Sequence, residues 1–449
     1  MIQMAGSIIS AWVSNSEDDR LTLNRRMFVK GAALTSAALA SSDLRAASPA
    51  ALAGKPVADN EAYWAKVAAH YDVTQEVIQL ENGNWGMMAR PVLDAYKGHL
   101  ERVNRDTSYY TRRKFGHDAI DVQLRVAAML RVDPNEIVFT RNATEALKAL
   151  IGGYNQLKPG DAVLYADLDY DSMQSALVSK ARQAGARIVR MTMPEPADGA
   201  AVIDAYVQAF EANPDLKLVL LTHLSHRTGL VIPVHEIVKI ARERGIDAIV
   251  DAAHSWGQLD FALPDLDADF VGLNLHKWIG APLGVGAAYI RQSRLSAIDP
   301  DPADTSHDID RIYSRVHTGT TDFAALLSVP DALNFRETIG AAPIQLRLQY
   351  LRDRWVSQVA DAPNIQVLTP NDPQMHAGIT SFRFAGKISV EDNKAVAKAL
   401  LERHGIFTVH RDGVDGGACV RITPALFNSA DDVDAAAKAL REMASNLPV

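Results

Sequence analysis

From Glu136 onward the chain alternates short apolar runs with longer amphipathic ones. Seven runs predict strands: Glu136–Thr140, Ala162–Tyr165, Arg187–Met191, Leu216–Thr222, Asp247–Asp251, Asp269–Asn274 and Val285–Ile290. Their nearly continuous apolar character is that of strands buried on both faces. Between them Thr144–Tyr154, Ser172–Ala184, Ile203–Ala212 and Val234–Arg244 read as helices. Pro233 stands just before the last, where a missing N–H costs no helical bond. Strands alternating with helices predict an α/β fold with a mostly parallel sheet covered on both sides. Only the Gly/Pro-rich Gly280–Gly286 joins the last two strands. That is too short for a crossover helix, so one strand is expected to run antiparallel.

After Asp322 a long helical pattern follows, and then a second α/β pattern: Ile365–Leu368, Ile379–Phe384, Val390–His404, Ala418–Thr423 and a closing helix from Asp431 to Asn446. The expected organisation is a leader (1–53), an arm (54–90) packing on the small domain, a large seven-stranded domain (91–335) and a small C-terminal domain (336–449).

Composition narrows the function classes. A net charge of −8 lacks the concentrated basic surface that a broad nucleic-acid footprint needs. No Cys-x-x-Cys metal motif is present, and the single cysteine, Cys419, rules out an intramolecular disulfide. At the N-terminus, Arg25-Arg26-Met27-Phe28-Val29-Lys30 precedes an uncharged run from Gly31 to Ala40, too short to span a bilayer. Small-residue sites follow at Ala46/Ala47 and Ala51-Leu52-Ala53. That order is the one of a cleaved export signal, and its arginine pair resembles a twin-arginine signal. The expectation is a periplasmic protein carried by the Tat machinery, with no permanent membrane anchor. Residues before Arg25 read as an extended n-region of the signal or a misassigned start.

Chemistry gathers at predicted strand ends. Asp251 closes one strand. Lys277 lies just beyond the next, between His276 and Trp278 and ahead of the glycine-rich loop. Arg141-Asn142-Ala143-Thr144-Glu145 leaves a strand and opens a helix, so its N–H groups and the Thr144 hydroxyl form an anion seat. Tyr170 follows another strand. Taken singly these are also a helix-capping aspartate, a turn lysine, a plain cap and a loop tyrosine. Together they are what pyridoxal 5′-phosphate (PLP) requires: an amine for its aldehyde, a carboxylate for its ring nitrogen, a ring to stack and amides for its phosphate. The run Gly280–Gly286 is no dinucleotide fingerprint, because a strand follows it instead of a helix.

The block from Asp251 to Gly286, with Asn274-Leu275-His276-Lys277-Trp278-Ile279-Gly280-Ala281-Pro282, resembles fold-type I PLP enzymes of the class V aminotransferase family. The likeness extends over about residues 80–445. It implies Lys277 as the Schiff-base lysine and Asp251 as the partner of the ring nitrogen. It implies Tyr170 as the stacking ring and Ala143, Thr144, Asn274 and His276 as phosphate contacts. It gives Gly319 and Thr320 to a neighbouring subunit's phosphate, hence a homodimer, and makes Arg421 the clamp for a substrate carboxylate. His226 stands where many relatives have an asparagine near the phenolic oxygen of the ring, and His254 where desulfurases carry glutamine. Leu80–Gly86 and Thr107–Arg113 look more like the isopenicillin N epimerase branch. No cysteine lies in Val409–Gly417, where a desulfurase needs a mobile thiol. The implied activity is transamination or epimerisation at the α-carbon of an amino acid or an amino-acid-derived side chain. A C–S β-lyase and a silent PLP-fold binding protein are the alternatives.

Overall fold

The computed structural model describes residues 57–445. The predicted leader, with Arg25 and Arg26, lies outside these residues, as does Asn446 of the predicted closing helix. The strands are β1 (Ile78–Gln79), β2 (Ile137–Thr140), β3 (Ala162–Ala166), β4 (Arg187–Met191), β5 (Leu216–Thr222), β6 (Asp247–Ala252), β7 (Phe270–Asn274), β8 (Gly286–Ile290), β9 (Ile365–Val367), β10 (Thr380–Phe384), β11 (Ile406–Phe407), β12 (Val409–Arg411) and β13 (Cys419–Ile422).

Seven strands form one sheet in the order β2-β8-β7-β6-β5-β3-β4. The pairs from β4 to β7 are parallel, and β8 runs antiparallel to both β7 and β2. This is the fold-type I architecture expected from the alternating pattern. Successive residues feed opposite faces. Leu218, Leu220 and Ile249 join the core under one face, while Val219, Leu221 and Val250 join the other. The middles of these strands, residues 218–221 and 248–250, are therefore apolar on both faces, which the continuous runs foretold.

The chain leaves β3 towards β4 on one side and returns to β5 on the other. Such a reversal opens a crevice at the carboxyl ends of the strands. The segments after β3, β5, β6 and β7 all enter it.

A four-stranded sheet, β12-β13-β10-β9, has its own core with Trp355, Phe382 and Leu440. The arm is stitched to it. β1 pairs with β11, Glu81 bridges Thr423, and buried Arg347 holds Glu61 and the Asn428 carbonyl. The long helical pattern after Asp322 is broken into helices Phe323–Leu327, Val329–Glu337 and Ala341–Val359. Pro330 in the first turn of the second helix, with no N–H to continue the preceding one, sets the first break. Gly340, at a φ of 97°, sets the second.

Candidate active site

The crevice is built from the ends of four strands. β6 ends in Asp251, whose Oδ1 accepts the Ala253 amide at 2.9 Å. Its other oxygen has no hydrogen-bond partner among the described residues. Burial raises its carboxyl above the usual range, with the Ala253 amide and Lys277 pulling it back.

Lys277 lies three residues past β7. Its Nζ is 2.9 Å from His254 Nε2, and Trp278 Nε1 is 3.2 Å from His254 Nδ1. Burial presses the amine down to about 8, opposed by the charge of Asp251. Each group thus figures in the other's electrostatics. Gly86 crosses directly over the lysine: its N–H donates to the His276 carbonyl at 2.9 Å. A Cβ at Gly86 would sit 1.7 Å from the Lys277 carbonyl oxygen, so only glycine permits the crossing.

At the helix that opens with Ala143, Asn142 caps the Glu145 amide at 2.9 Å. Asn274 Oδ1 accepts the Ala143 amide at 2.7 Å. The Ala143 amide is therefore already engaged. The Asn274 amide group, with its oxygen so oriented, is left to donate, beside the Thr144 amide and hydroxyl. His276 Nδ1 lies 3.0 Å from the Val285 carbonyl, which accepts, so Nδ1 carries the hydrogen. Burial depresses this ring below its ordinary value. Contact between its Nε2 and a phosphate oxygen requires the ring to take up a proton.

Tyr170, at the start of helix Asp171–Ala184, meets the His226 ring edge-on at 5.3 Å. His226 in turn lies nearly parallel to His254, at 6.4 Å and 20°. Burial, then Arg227, Arg421 and Arg411, hold His226 well below its ordinary value.

Arg421 departs from expectation. Its Nη1 donates to the His226 carbonyl at 2.6 Å and its Nη2 to both Glu81 oxygens at 2.5 and 2.8 Å. The fork predicted for a substrate is filled by a buried carboxylate of the arm. Gly83 makes room for it, since a Cβ there would lie 2.5 Å from Arg421 Nη2. A second guanidinium, Arg411, approaches Glu81 to 3.5 Å. Arg411 faces Cys419, two residues from Arg421 on the neighbouring strand, so both arginines project from the same face of the sheet. Two guanidinium groups sharing one carboxylate leave one net positive charge beside Lys277.

Contacts thus link Ala143, Asn274, His276, Lys277, His254, His226, Tyr170 and Arg421, with Asp251 and Thr144 at the same strand ends. Gly319 and Thr320 stand apart. Gly319 has φ 65°, Thr320 is exposed, and neither bonds to this cluster within the chain. Glu81, Arg411 and Asp169 are missed by the sequence reading. Asp169 sits beneath Tyr170 and accepts from the Ala166 amide at 2.7 Å and from the Thr222 amide and hydroxyl at 3.0 and 2.7 Å. A short Asp-x-Asp-Tyr run after a strand was its one visible signal.

Residues 87–436 match the family described as aminotransferase class-V. The chain belongs to that family. Among curated class V relatives, isopenicillin N epimerase of Streptomyces clavuligerus is 26% identical over 394 residues, covering 84% of this chain and 97% of that one. A probable cysteine desulfurase of Methanothermobacter thermautotrophicus is 25% identical over 378 residues, 79% of this chain and 91% of the relative. Among solved structures, the apo cysteine desulfurase of Thermococcus onnurineus NA1 superposes with a TM-score of 0.73 at 22% identity, covering 85% of this chain and 98% of that one. The cystine C–S lyase C-DES, in complex with cysteine persulfide, gives 0.71 at 21%, covering 82% and 98%.

The cofactor of class V enzymes is PLP, and the unengaged groups here fit it. They are a neutralisable amine, a carboxylate oxygen without a partner, and the Thr144 and Asn274 donors at a helix start. In such a site Lys277 would hold the aldehyde carbon, Asp251 the ring nitrogen, and Thr144, Asn274 and His276 the phosphate.

Proposed function

We propose that this class V chain is a PLP-dependent enzyme acting at the amino group and α-carbon of an amino acid or an amino-acid-derived side chain, by transamination or epimerisation. One observation supports the reading: Asp251 ends β6, Lys277 follows the end of the neighbouring parallel strand β7, and the two are close enough for the charge of each to act on the other. When bound, PLP supplies the carbonyl carbon that takes the amine and the ring that draws off the electrons of a cleaved bond.

The chain's own groups do the rest. Lys277, once released, is a buried base that takes the α-proton and returns it. Asp251, with one oxygen held by the Ala253 amide, would face the ring nitrogen and favour its protonated form by its charge. The cluster of Arg421, Arg411 and Glu81 takes a substrate carboxylate on its single excess positive charge and so fixes which α-bond faces Lys277. Gly86 and the arm close over the lysine and exclude water. Transamination and epimerisation share these steps and differ in where the proton is returned.

Cysteine-based desulfuration lacks its nucleophile. Cys419 is buried in β13 and burial pushes its thiol up to about 11, so the thiolate is scarce. A β-elimination needs no thiol, and the desulfhydrases among the relatives keep it as the second reading. It predicts a keto acid with released sulfide or thiol.

Purified protein mixed with PLP is expected to gain a violet absorption band that a Lys277→Ala variant lacks. An amino-acid panel then separates keto-acid formation, loss of optical rotation and sulfide release. Identical spectra for wild type and variant would refute the role of Lys277.

A further inference from the structure

The two ring nitrogens of His254 face partners of different kinds. Trp278 Nε1 lies 3.2 Å from Nδ1, and Lys277 Nζ lies 2.9 Å from Nε2. An indole N–H only donates, so Nδ1 has to accept. A neutral imidazole then carries its hydrogen on Nε2 and points it at Lys277. An ammonium has three donors and no lone pair, so it has nothing with which to receive that hydrogen. The bonding closes only if Nζ is an amine.

We propose that Trp278, acting through His254, is a positioning device that holds Lys277 as an uncharged amine, its lone pair accepting the Nε2–H until a carbonyl carbon arrives and that hydrogen bond opens to free the pair for attack. This rests on the reading of Lys277 as the group that attacks a carbonyl carbon. An amine can do so and an ammonium cannot.

The device is rigid. Trp278 is buried, and its carbonyl accepts from Arg336, which also bonds the Gly257 carbonyl. Gly257 has φ 98°, and a Cβ there would lie 2.7 Å from the Trp278 carbonyl carbon. On the other side Gln258 donates to the His254 carbonyl at 2.9 Å. These contacts fix the backbone positions from which the indole and the imidazole meet.

The charged groups around Lys277 come from every wall. Asp251 on β6 and Glu81 on the arm favour the ammonium, while Arg421 on β13 and Arg411 on β12 oppose it. Burial, helped by the two arginines, outweighs the two carboxylates and brings the amine to about 8, still above neutrality. The donor at His254 Nε2 acts in the same direction and carries it further. Burial, first, and the charge of Arg421 hold the His254 ring well below its ordinary value, and this does not depend on a charge at Lys277. The parallel His226 ring, also depressed, adds no charge to the stack.

The test uses the full chain free of cofactor. Labelling histidine with ¹³C and ¹⁵N, and assigning His254 by difference from His254→Gln, reads its tautomer directly at pH 7. Hydrogen on Nε2 is expected; hydrogen on Nδ1, or on both nitrogens, would overturn the proposal. The second readout is the rate of PLP capture against pH, followed by growth of the violet band. Trp278→Phe frees Nδ1, so His254 can reverse its tautomer and accept from an ammonium. Its capture profile should move to higher pH by about one unit, or about tenfold slower capture at pH 7. A folded Trp278→Phe protein with the wild-type profile would also overturn it. Should that variant fail to fold, the tautomer in the wild type still decides. Failure of the lysine assignment is distinguishable, because Lys277→Ala would then capture PLP as the wild type does.

Discussion

At the scale of single residues, the arginines separate what was legible from what was not. Lys277 and Asp251 announce themselves locally, each a charged residue at the end of an apolar strand. Arg421 was legible as a guanidinium in an apolar strand, but its partner was not. Glu81 lies 340 positions away, in an arm whose path no periodicity predicts. Arg411 sits in a loop that was read for a cysteine, and only strand pairing reveals that it shares a face with Arg421. Glu81→Gln removes the one carboxylate between two buried guanidinium groups. Breaking such a pair from one side costs about 3–5 kcal/mol. An anion that fills the gap in the native state stabilises it by mass action. Glu81→Gln protein should therefore melt well below wild type in chloride buffer and regain much of the loss on adding a small dicarboxylate such as glutarate, a larger gain than wild type shows, because the variant presents two unpaired guanidinium groups instead of one excess charge. An equal response of both proteins to glutarate would show that the two arginines do not form a carboxylate site.

Among the elements, the strands of the large sheet were read to within a residue or two, because burial on both faces leaves continuous apolar runs with few alternatives, whereas the short β1, β11 and β12 were not read. The antiparallel β8 followed from the length of the loop before it. The helical pattern after Asp322 was read too long, since apolar spacing persists through Ser328 and Gly340 while Pro330 and the positive φ of Gly340 interrupt the backbone. What periodicity cannot supply is how strand ends are tied together. Asp169 does this for β3 and β5. Its two oxygens accept three donors, from Ala166 and Thr222, although burial lifts its carboxyl to about 7. An amide has one accepting oxygen and turns an NH₂ towards the remaining donors. Asp169→Asn therefore leaves at least one buried donor facing another, at about 1–3 kcal/mol. The urea midpoint should fall accordingly, and Tyr170, the next residue, should lose its edge contact with His226. An unchanged midpoint would mean that the strand ends do not depend on this carboxylate.

For the whole molecule, a second sheet was legible in the second α/β pattern, whereas the response to pH depends on burial that no sequence pattern displays. His223 shows this. It follows β5, its ring meets Phe261 edge-on at 4.9 Å, and its Nδ1 is buried with no hydrogen-bond partner. Burial lowers it to about 4, against an ordinary value of about 6.5. Between those two values the unfolded chain binds a proton that the native one refuses. Stability is thus fully present above about pH 6.5 and falls as pH drops towards 4, by up to about 1.4 kcal/mol per pH unit. Carboxylates held down by ion pairs, such as Asp247 and Asp434, weaken the fold at lower pH, as they protonate beneath the usual carboxylate range. Raised carboxyls, Asp169 and Asp251 among them, act in the opposite sense. Both kinds are common to wild type and to a His223→Leu variant, so they cancel when the two are compared at each pH. Leucine fills the site without a titrating nitrogen or an unmet acceptor. The difference in urea-derived stability between the proteins should then shift in favour of the variant as pH falls from 6.5 to 4.5, whatever its value at pH 8. Parallel stability curves across that window would mean that His223 is protonated as easily in the fold as out of it.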